Sequence, residues 1–305
     1  MQNHAIQKQQ WIIGDTRISR IEEQLGPMFD PKHFLPDYDL NVVARHSDWL
    51  YPNHIDPASG RLVASMHAWL IETPQHKILV DTCIGNHKER MPARHWHNLQ
   101  TPWLERLAAH GVTPHDIDYV MCTHLHVDHV GWNTQLVDGQ WVPTFPNAIY
   151  MFSKPEFDFW RAERDSIDSA SFNQINRQTF DDSVLPIMHL AQLVEGEHEV
   201  ITDLLHIVPA PGHTPGSITI DLHLQQGKSV IFTGDICHHP LQVYQPDWNS
   251  AYCELPQQAR ATRRRVLEQC VEHNTLMMPA HFGWPFAGYV QDSHEGFSFA
   301  FDTPL

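Results

Sequence analysis

Apolar residues along this chain fall into short runs divided by turn-forming residues, with two stretches of helical spacing between them. Trp11-Ile12-Ile13 and residues 16–21 flank Gly14-Asp15, the pattern of two strands around a tight turn. Leu62–Glu72 and Lys77–Val80 predict a second strand pair joined by Thr73-Pro74-Gln75-His76. Over residues 98–110, Leu99, Trp103, Leu104, Leu107 and Ala108 recur at helical spacing, and Gly111 stands where a helix should stop. Strands are expected at 119–122 and 148–152, with a hairpin across Val137-Asp138-Gly139-Gln140-Trp141. Residues 153–190 read as a polar, mainly helical insert. The second half repeats this grammar. It predicts strands at 204–208, 217–224 and 229–232, a helix at 256–273 and a last core strand at 275–278. Ala259, Val266, Leu267, Cys270 and Val271 give that helix its buried face, and Arg263-Arg264-Arg265 read as its solvated one.

Residues 26–61 differ from the rest: rich in Pro, Asp and His, they show little periodicity. They are expected to form a long irregular segment of one domain spanning 1–305, and long loops are often functional. Met28, Phe29, Phe34, Trp49 and Leu50 could line a pocket, bridge a homodimer or pack on the domain's own core.

Composition narrows the function. The 305 residues are 42% hydrophobic, enough for a sizeable core, and no run reaches the length of a membrane span. A formal charge of −16 argues against nucleic acid or an anionic membrane as partner and leaves a small-molecule substrate. Two dications would reduce it to −12. Five cysteines without C-x-x-C spacing read as reduced thiols. No basic and apolar leader follows Met1-Gln2-Asn3-His4, so a cytoplasmic location is expected.

The chemistry concentrates at strand ends. Thr123-His124-Leu125-His126-Val127-Asp128-His129 follows the apolar run at 119–122, and in an extended chain His124, His126 and Asp128 share one face. Imidazole and carboxylate together suit zinc and similar divalent ions. His213, Asp235 and His281 close three further strands beside Gly or Pro. A lone histidine is more often a hydrogen-bonded structural residue, but four strand ends finishing in such groups favour metal. Asp81, ending the strand at 77–80, reads more often as a cap or turn residue than as a site residue when taken alone.

The motifs T-H-L-H-V-D-H, A-P-G-H-T-P-G, T-G-D and P-A-H, in this order and with Asp81 in L-V-D-T, resemble the metallo-β-lactamase superfamily over roughly residues 62–290. The resemblance implies an α+β, four-layer αββα sandwich. It implies His124, His126 and His213 on one metal, Asp128, His129 and His281 on the other, and Asp235 bridging. Asp81 would orient a ligand from behind, as metal-bound histidines need. G-D-I-C-H-H-P and P-A-H-F-G-W-P-F-A-G look like the branch of acyl-homoserine lactonases and methyl parathion hydrolase. The lactonases carry a tyrosine three residues after the bridging Asp, where this chain has His238.

Two divalent ions, zinc by default with manganese, iron or cobalt as alternatives, would share a hydroxide that attacks an ester or lactone carbonyl. Asp128 would hold the proton and His238 would be catalytic. His239, Trp132, Phe282, Trp284 and Phe286 are the expected substrate contacts, suited to a hydrophobic or aromatic molecule, although such aromatics are as often core. A phosphotriester hydrolase is the alternative reaction. A metal-dependent binding protein is the alternative outside catalysis. Nucleases need a basic groove, glyoxalase-II-type thioesterases need more than the 24 residues after His281, and flavodiiron proteins carry Glu where this chain has His126.

Overall fold

Residues 9–165 and 171–305 are described by the computed structural model. The readings of the chain start and of 166–170 within the insert lie outside the described residues. In chain order the strands are β1 (Gln10–Ile13), β2 (Thr16–Phe29), β3 (Leu62–Glu72), β4 (Lys77–Val80), β5 (Tyr119–Met121) and β6 (Thr134–Val137). Next come β7 (Gln140–Pro143), β8 (Ile149–Ser153), β9 (Ala191–Val194), β10 (His198–Ile201) and β11 (Leu205–Pro209). β12 (Ile218–His223), β13 (Ser229–Gly234), β14 (Leu276–Pro279), β15 (Ala287–Ser293) and β16 (Gly296–Asp302) complete the series. One seven-stranded sheet runs β1-β2-β3-β4-β5-β8-β9 and a second runs β10 to β16 in sequence order; β6 and β7 form a hairpin. The expected α+β class is what the chain adopts.

Two compact units divide the chain. The first holds residues up to Glu23, Met66–Gly196 and Leu305; the second holds Gln24–Ser65 and Glu197–Pro304. In the first unit, β4, β5, β8 and β9 pair in parallel, so successive strands end on the same edge. Ala68, Leu70, Leu79, Val120, Tyr150 and Phe152 bury one sheet face under Trp103, Leu107, Phe157 and Trp160 of the helices Trp103–Ala109 and Lys154–Asp165. In the second unit, β13 and β14 are the parallel pair. Ile231, Met277 and Val290 pack under Val266, Leu267 and Cys270 of the helix Pro256–His273. Among the described residues no helix is long and apolar enough to cross a membrane.

Local chemistry sets the element ends. The β6–β7 hairpin turns on Asp138 and Gly139, both at positive φ (49° and 78°), as a two-residue turn of this hand requires. The helix expected over 98–110 forms only at Trp103–Ala109, because Pro102 precedes it and Asn98 sits at φ 50°. β2 runs on to Phe29, and the helices Pro31–Phe34, Leu40–Arg45 and Ser47–Leu50 follow. Asp30 and Asp39 cap the first two by accepting from the His33 and Asn41 backbone N–H groups at 3.0 and 2.8 Å. Phe34, Leu35, Val42, Val43 and Leu50 pack with Leu241 and Trp248, so the apolar residues of this segment serve their own unit's core.

Arg263 corrects the expectation of a solvated triple-arginine face. It shares the helix face of Ala259, Val266 and Cys270 and is 1% exposed. Its guanidinium donates to the Ile236 and Pro246 carbonyls, each at 2.7 Å, and to Asn249 Oδ1 at 3.2 Å. Hydrogen bonding makes such burial tolerable. Arg264, one position round the helix, does pair outward with Asp247.

The first unit buries two cations against one carboxylate. Arg90 forks onto Asp182 at 2.7 and 2.8 Å. Lys88 Nζ lies 3.4 Å from Asp182 Oδ1, donates to Thr134 Oγ1 at 2.8 Å and sits 3.7 Å from the centre of the Trp141 ring. Burial pulls the Lys88 ammonium down to about 7 against the attraction of Asp182. Between that value and 10.5 the unfolded chain holds the extra proton, so Lys88 adds stability as pH rises, by at most about 1.4 kcal/mol per pH unit. Denaturant midpoints at pH 6, 8 and 9.5 should show the parent gaining on Lys88→Met with rising pH; a pH-independent difference contradicts this.

Candidate metal centre

The first unit contributes one cluster. β5 ends at Met121 and hands the chain to residues 122–131, while Asp81 leaves the neighbouring strand β4 at φ 58°. Asp81 Oδ1 accepts from the Thr123 backbone N–H at 2.8 Å, and its Oδ2 lies 2.9 Å from His129 Nδ1. An Nδ1–H donated to that carboxylate leaves Nε2 as the basic nitrogen, the tautomer a metal-binding imidazole needs. His124 Nε2 lies 3.1 Å from His126 Nδ1, and the His124 and His129 rings are 4.0 Å apart. Asp128 Oδ1 is 3.7 Å from His129 Nε2. The three imidazoles are buried and Asp128 is half-buried.

Backbone contacts hold this turn in place. The Thr82, Gly131 and Trp132 N–H groups donate to the His129, Cys83 and Thr82 carbonyls at 2.7 to 2.8 Å. A Cβ at position 131 would lie 1.8 Å from the Ile84 carbonyl oxygen, so only glycine permits this approach.

The second unit has a cluster of its own, centred on Asp235 after β13. His213 Nε2 lies 3.2 Å from Asp235 Oδ2, His281 Nε2 lies 3.0 Å from Oδ1, and His238 Nε2 lies 3.1 Å from Oδ2. Behind His281, Nδ1 is 3.1 Å from the Ser65 carbonyl oxygen. Behind His213, Nδ1 is 3.8 Å from Cys253 Sγ, and the His213 carbonyl accepts from the Glu254 N–H at 2.8 Å. Gly212 brings its loop so close to the helix Pro256–His273 that a Cβ there would sit 2.4 Å from Ala259.

At His213 the electrostatics favour positive charge. Burial lowers the His213 imidazole, but hydrogen bonds and charge from Asp235 and Cys253 overcome it and push the group up to about 10. The donor set fits a divalent cation: buried imidazoles beside carboxylates, with the Nδ1 atoms of His129, His213 and His281 engaged from behind. Ligand atoms lie within 4.8 Å of each other for His124 with His126, Asp128 with His129, and His213 with Asp235.

The remaining expected residues are placed as follows. Trp132 is buried, stacks on Trp103 at 5.4 Å and donates to Glu23 at 2.7 Å. Phe282 lies in the second unit's core against Phe299. Phe286 is buried, and Trp284, half-buried, meets it edge-on at 5.7 Å. His238 packs against Phe34, and its Nδ1 has no hydrogen-bond partner among the described residues. Both ring nitrogens of His239 are used: Nε2 lies 3.0 Å from the His54 carbonyl oxygen and Nδ1 accepts from the Leu241 N–H at 3.3 Å. Sequence reasoning missed Cys253 and Glu156, whose Oε1 accepts the Leu125 N–H at 3.0 Å. Neither is near in sequence to the group it supports, and no spacing rule marks them.

Burial pushes His238 and His239 down to about 4 and His54 well below its usual value. Lowered folded values mean stability that is complete above about pH 6.5 and lost as pH falls towards 4. His239→Gln should shift the acid-unfolding midpoint, followed by circular dichroism, to lower pH. An unchanged midpoint contradicts the assignment of a neutral His239.

The Metallo-beta-lactamase superfamily profile matches residues 65–269. N-acyl homoserine lactonase AttM of Rhizobium radiobacter is 26% identical over 141 residues, 44% of this chain and 47% of that protein. The chain thus spans about half the length of the curated relatives it matches. Among solved structures, the hydrolase AbOPH of the beta lactamase superfamily has a TM-score of 0.79 at 22% identity, covering 98% of this chain and 97% of that one. AidC, described as a dizinc quorum-quenching lactonase with a bound product, has a TM-score of 0.78 at 20% identity, covering 98% of both chains. Both likenesses show the fold.

Proposed function

The chain belongs to the metallo-beta-lactamase superfamily, and from that premise we propose that it hydrolyses an ester or lactone with the help of two divalent metal ions. His124, His126 and His213 would hold one ion, Asp128, His129 and His281 the other, and Asp235 would bridge them. The observation that carries this reading is the Asp235 carboxylate, met on Oδ2 by His213 Nε2 and on Oδ1 by His281 Nε2, with both opposite ring nitrogens anchored. A carboxylate with imidazole nitrogens on both of its oxygens suits a bridging ligand. Zinc is the default, supported by the dizinc description of AidC, and manganese, iron or cobalt suit the same donors.

Such a pair of ions supplies Lewis acidity and draws the pKa of water towards neutrality. The protein's own groups do the rest. Asp128, half-buried with Oδ1 at 3.7 Å from His129 Nε2, would hold or move a proton. His238, which burial pushes down to about 4, would accept a hydrogen bond from substrate or water on Nδ1. Asp81 fixes the His129 tautomer. Several relatives are named N-acyl homoserine lactonases, which ranks a lactone first among substrates.

A panel of lactones, aryl esters, phosphotriesters and β-lactams, run on metal-loaded and chelated protein, tests the reading. Turnover of a lactone or ester that vanishes on chelation is expected; turnover of phosphotriesters alone, or of nothing with metal bound, overturns it. Asp235→Ala should lose metal and activity together. A fully active, metal-replete variant contradicts the bridging role.

A further inference from the structure

Glu156 is a carboxylate with no place in the ligand set, yet it is 1% exposed. Burying a carboxylate is costly unless hydrogen bonds replace the lost water, so a specific local need must account for it. Its Oε1 accepts two N–H groups at once: the Leu125 backbone amide at 3.0 Å and the Trp160 indole at 2.6 Å. Leu125 stands between His124 and His126. Its amide belongs to the peptide plane that leaves His124, so holding that N–H fixes the direction in which the chain carries both histidines.

Trp160 acts on the same loop from a second side. It lies four residues on from Glu156 in the helix Lys154–Asp165, the spacing that puts two side chains on one face. Its ring is 5.2 Å from the His126 ring, tilted by 60°. The helix follows directly from β8, the parallel neighbour of β5, so the strand order itself brings Glu156 beside the loop that β5 delivers. One oxygen that holds the loop amide and the indole N–H together fixes both against the same helix, which suits a clamp.

We propose that Glu156 and Trp160 are positioning residues that hold the 124–126 turn in its metal-binding form. The inference rests on the reading of His124 and His126 as ligands. Glu156→Ala, Glu156→Gln and Trp160→Phe, each stripped of metal, are compared with the parent for zinc affinity by chelator competition and for the rise in Tm that zinc produces. Glu156→Ala should bind zinc ~10–100-fold more weakly, as removal of a group behind a metal ligand typically does. Glu156→Gln should stay within about threefold of the parent, because one amide oxygen can still accept both N–H groups. Trp160→Phe keeps the ring but not the N–H and should fall between them while folding normally.

Equal falls in Tm with and without zinc, at unchanged affinity, would mean a merely structural role and overturn the clamp. So would Glu156→Gln binding as weakly as Glu156→Ala, since charge and not geometry would then matter. If Glu156→Ala does not fold, Trp160→Phe decides, and unchanged zinc affinity in it overturns the proposal. A parent that binds no zinc overturns the ligand assignment, and the clamp with it.

Discussion

Asp235 is a carboxylate about 5% exposed and faced by three imidazole nitrogens, and folding alone gives no reward for such an arrangement. A buried anion requires a compensating positive charge or a full set of donors. That need shows at His213: burial lowers the imidazole, but Asp235 and Cys253 push it up to about 10. A cation held by the same nitrogens would meet the same need. Much of the surrounding structure follows from keeping these nitrogens aimed inward. The Ser65 carbonyl stands behind His281, Cys253 behind His213, and Asp81 behind His129.

That aiming depends on where strands end. Parallel pairing of β4, β5 and β8 in one unit, and of β13 and β14 in the other, makes consecutive strands finish on a common edge. Each unit can then collect polar groups there while its sheet interior stays apolar. Backbone closeness completes the construction. Gly131 against Ile84 and Gly212 against Ala259 permit approaches that any side chain would block.

The ligand candidates were legible because each follows a short apolar run and carries its own local signature of His, Asp, Gly and Pro. Strands such as Leu62–Glu72 and the helix Pro256–His273 were legible through their periodicity. Arg263 was misread because three adjacent arginines look solvated as a string, whereas successive helical positions point about 100° apart and one of them faces the core. β16 escaped notice despite its alternating Phe297, Phe299 and Phe301. Glu156 and Cys253 could not be found by spacing at all. Their roles arise from tertiary placement, through a strand neighbour and a loop closure, and a linear pattern records neither.

The proposed function requires two divalent ions per chain. Elemental analysis of protein reconstituted with zinc and freed of excess metal by gel filtration tests it most directly. Two ions retained per chain are expected. Retention of one ion or fewer, in protein that remains folded, would contradict it.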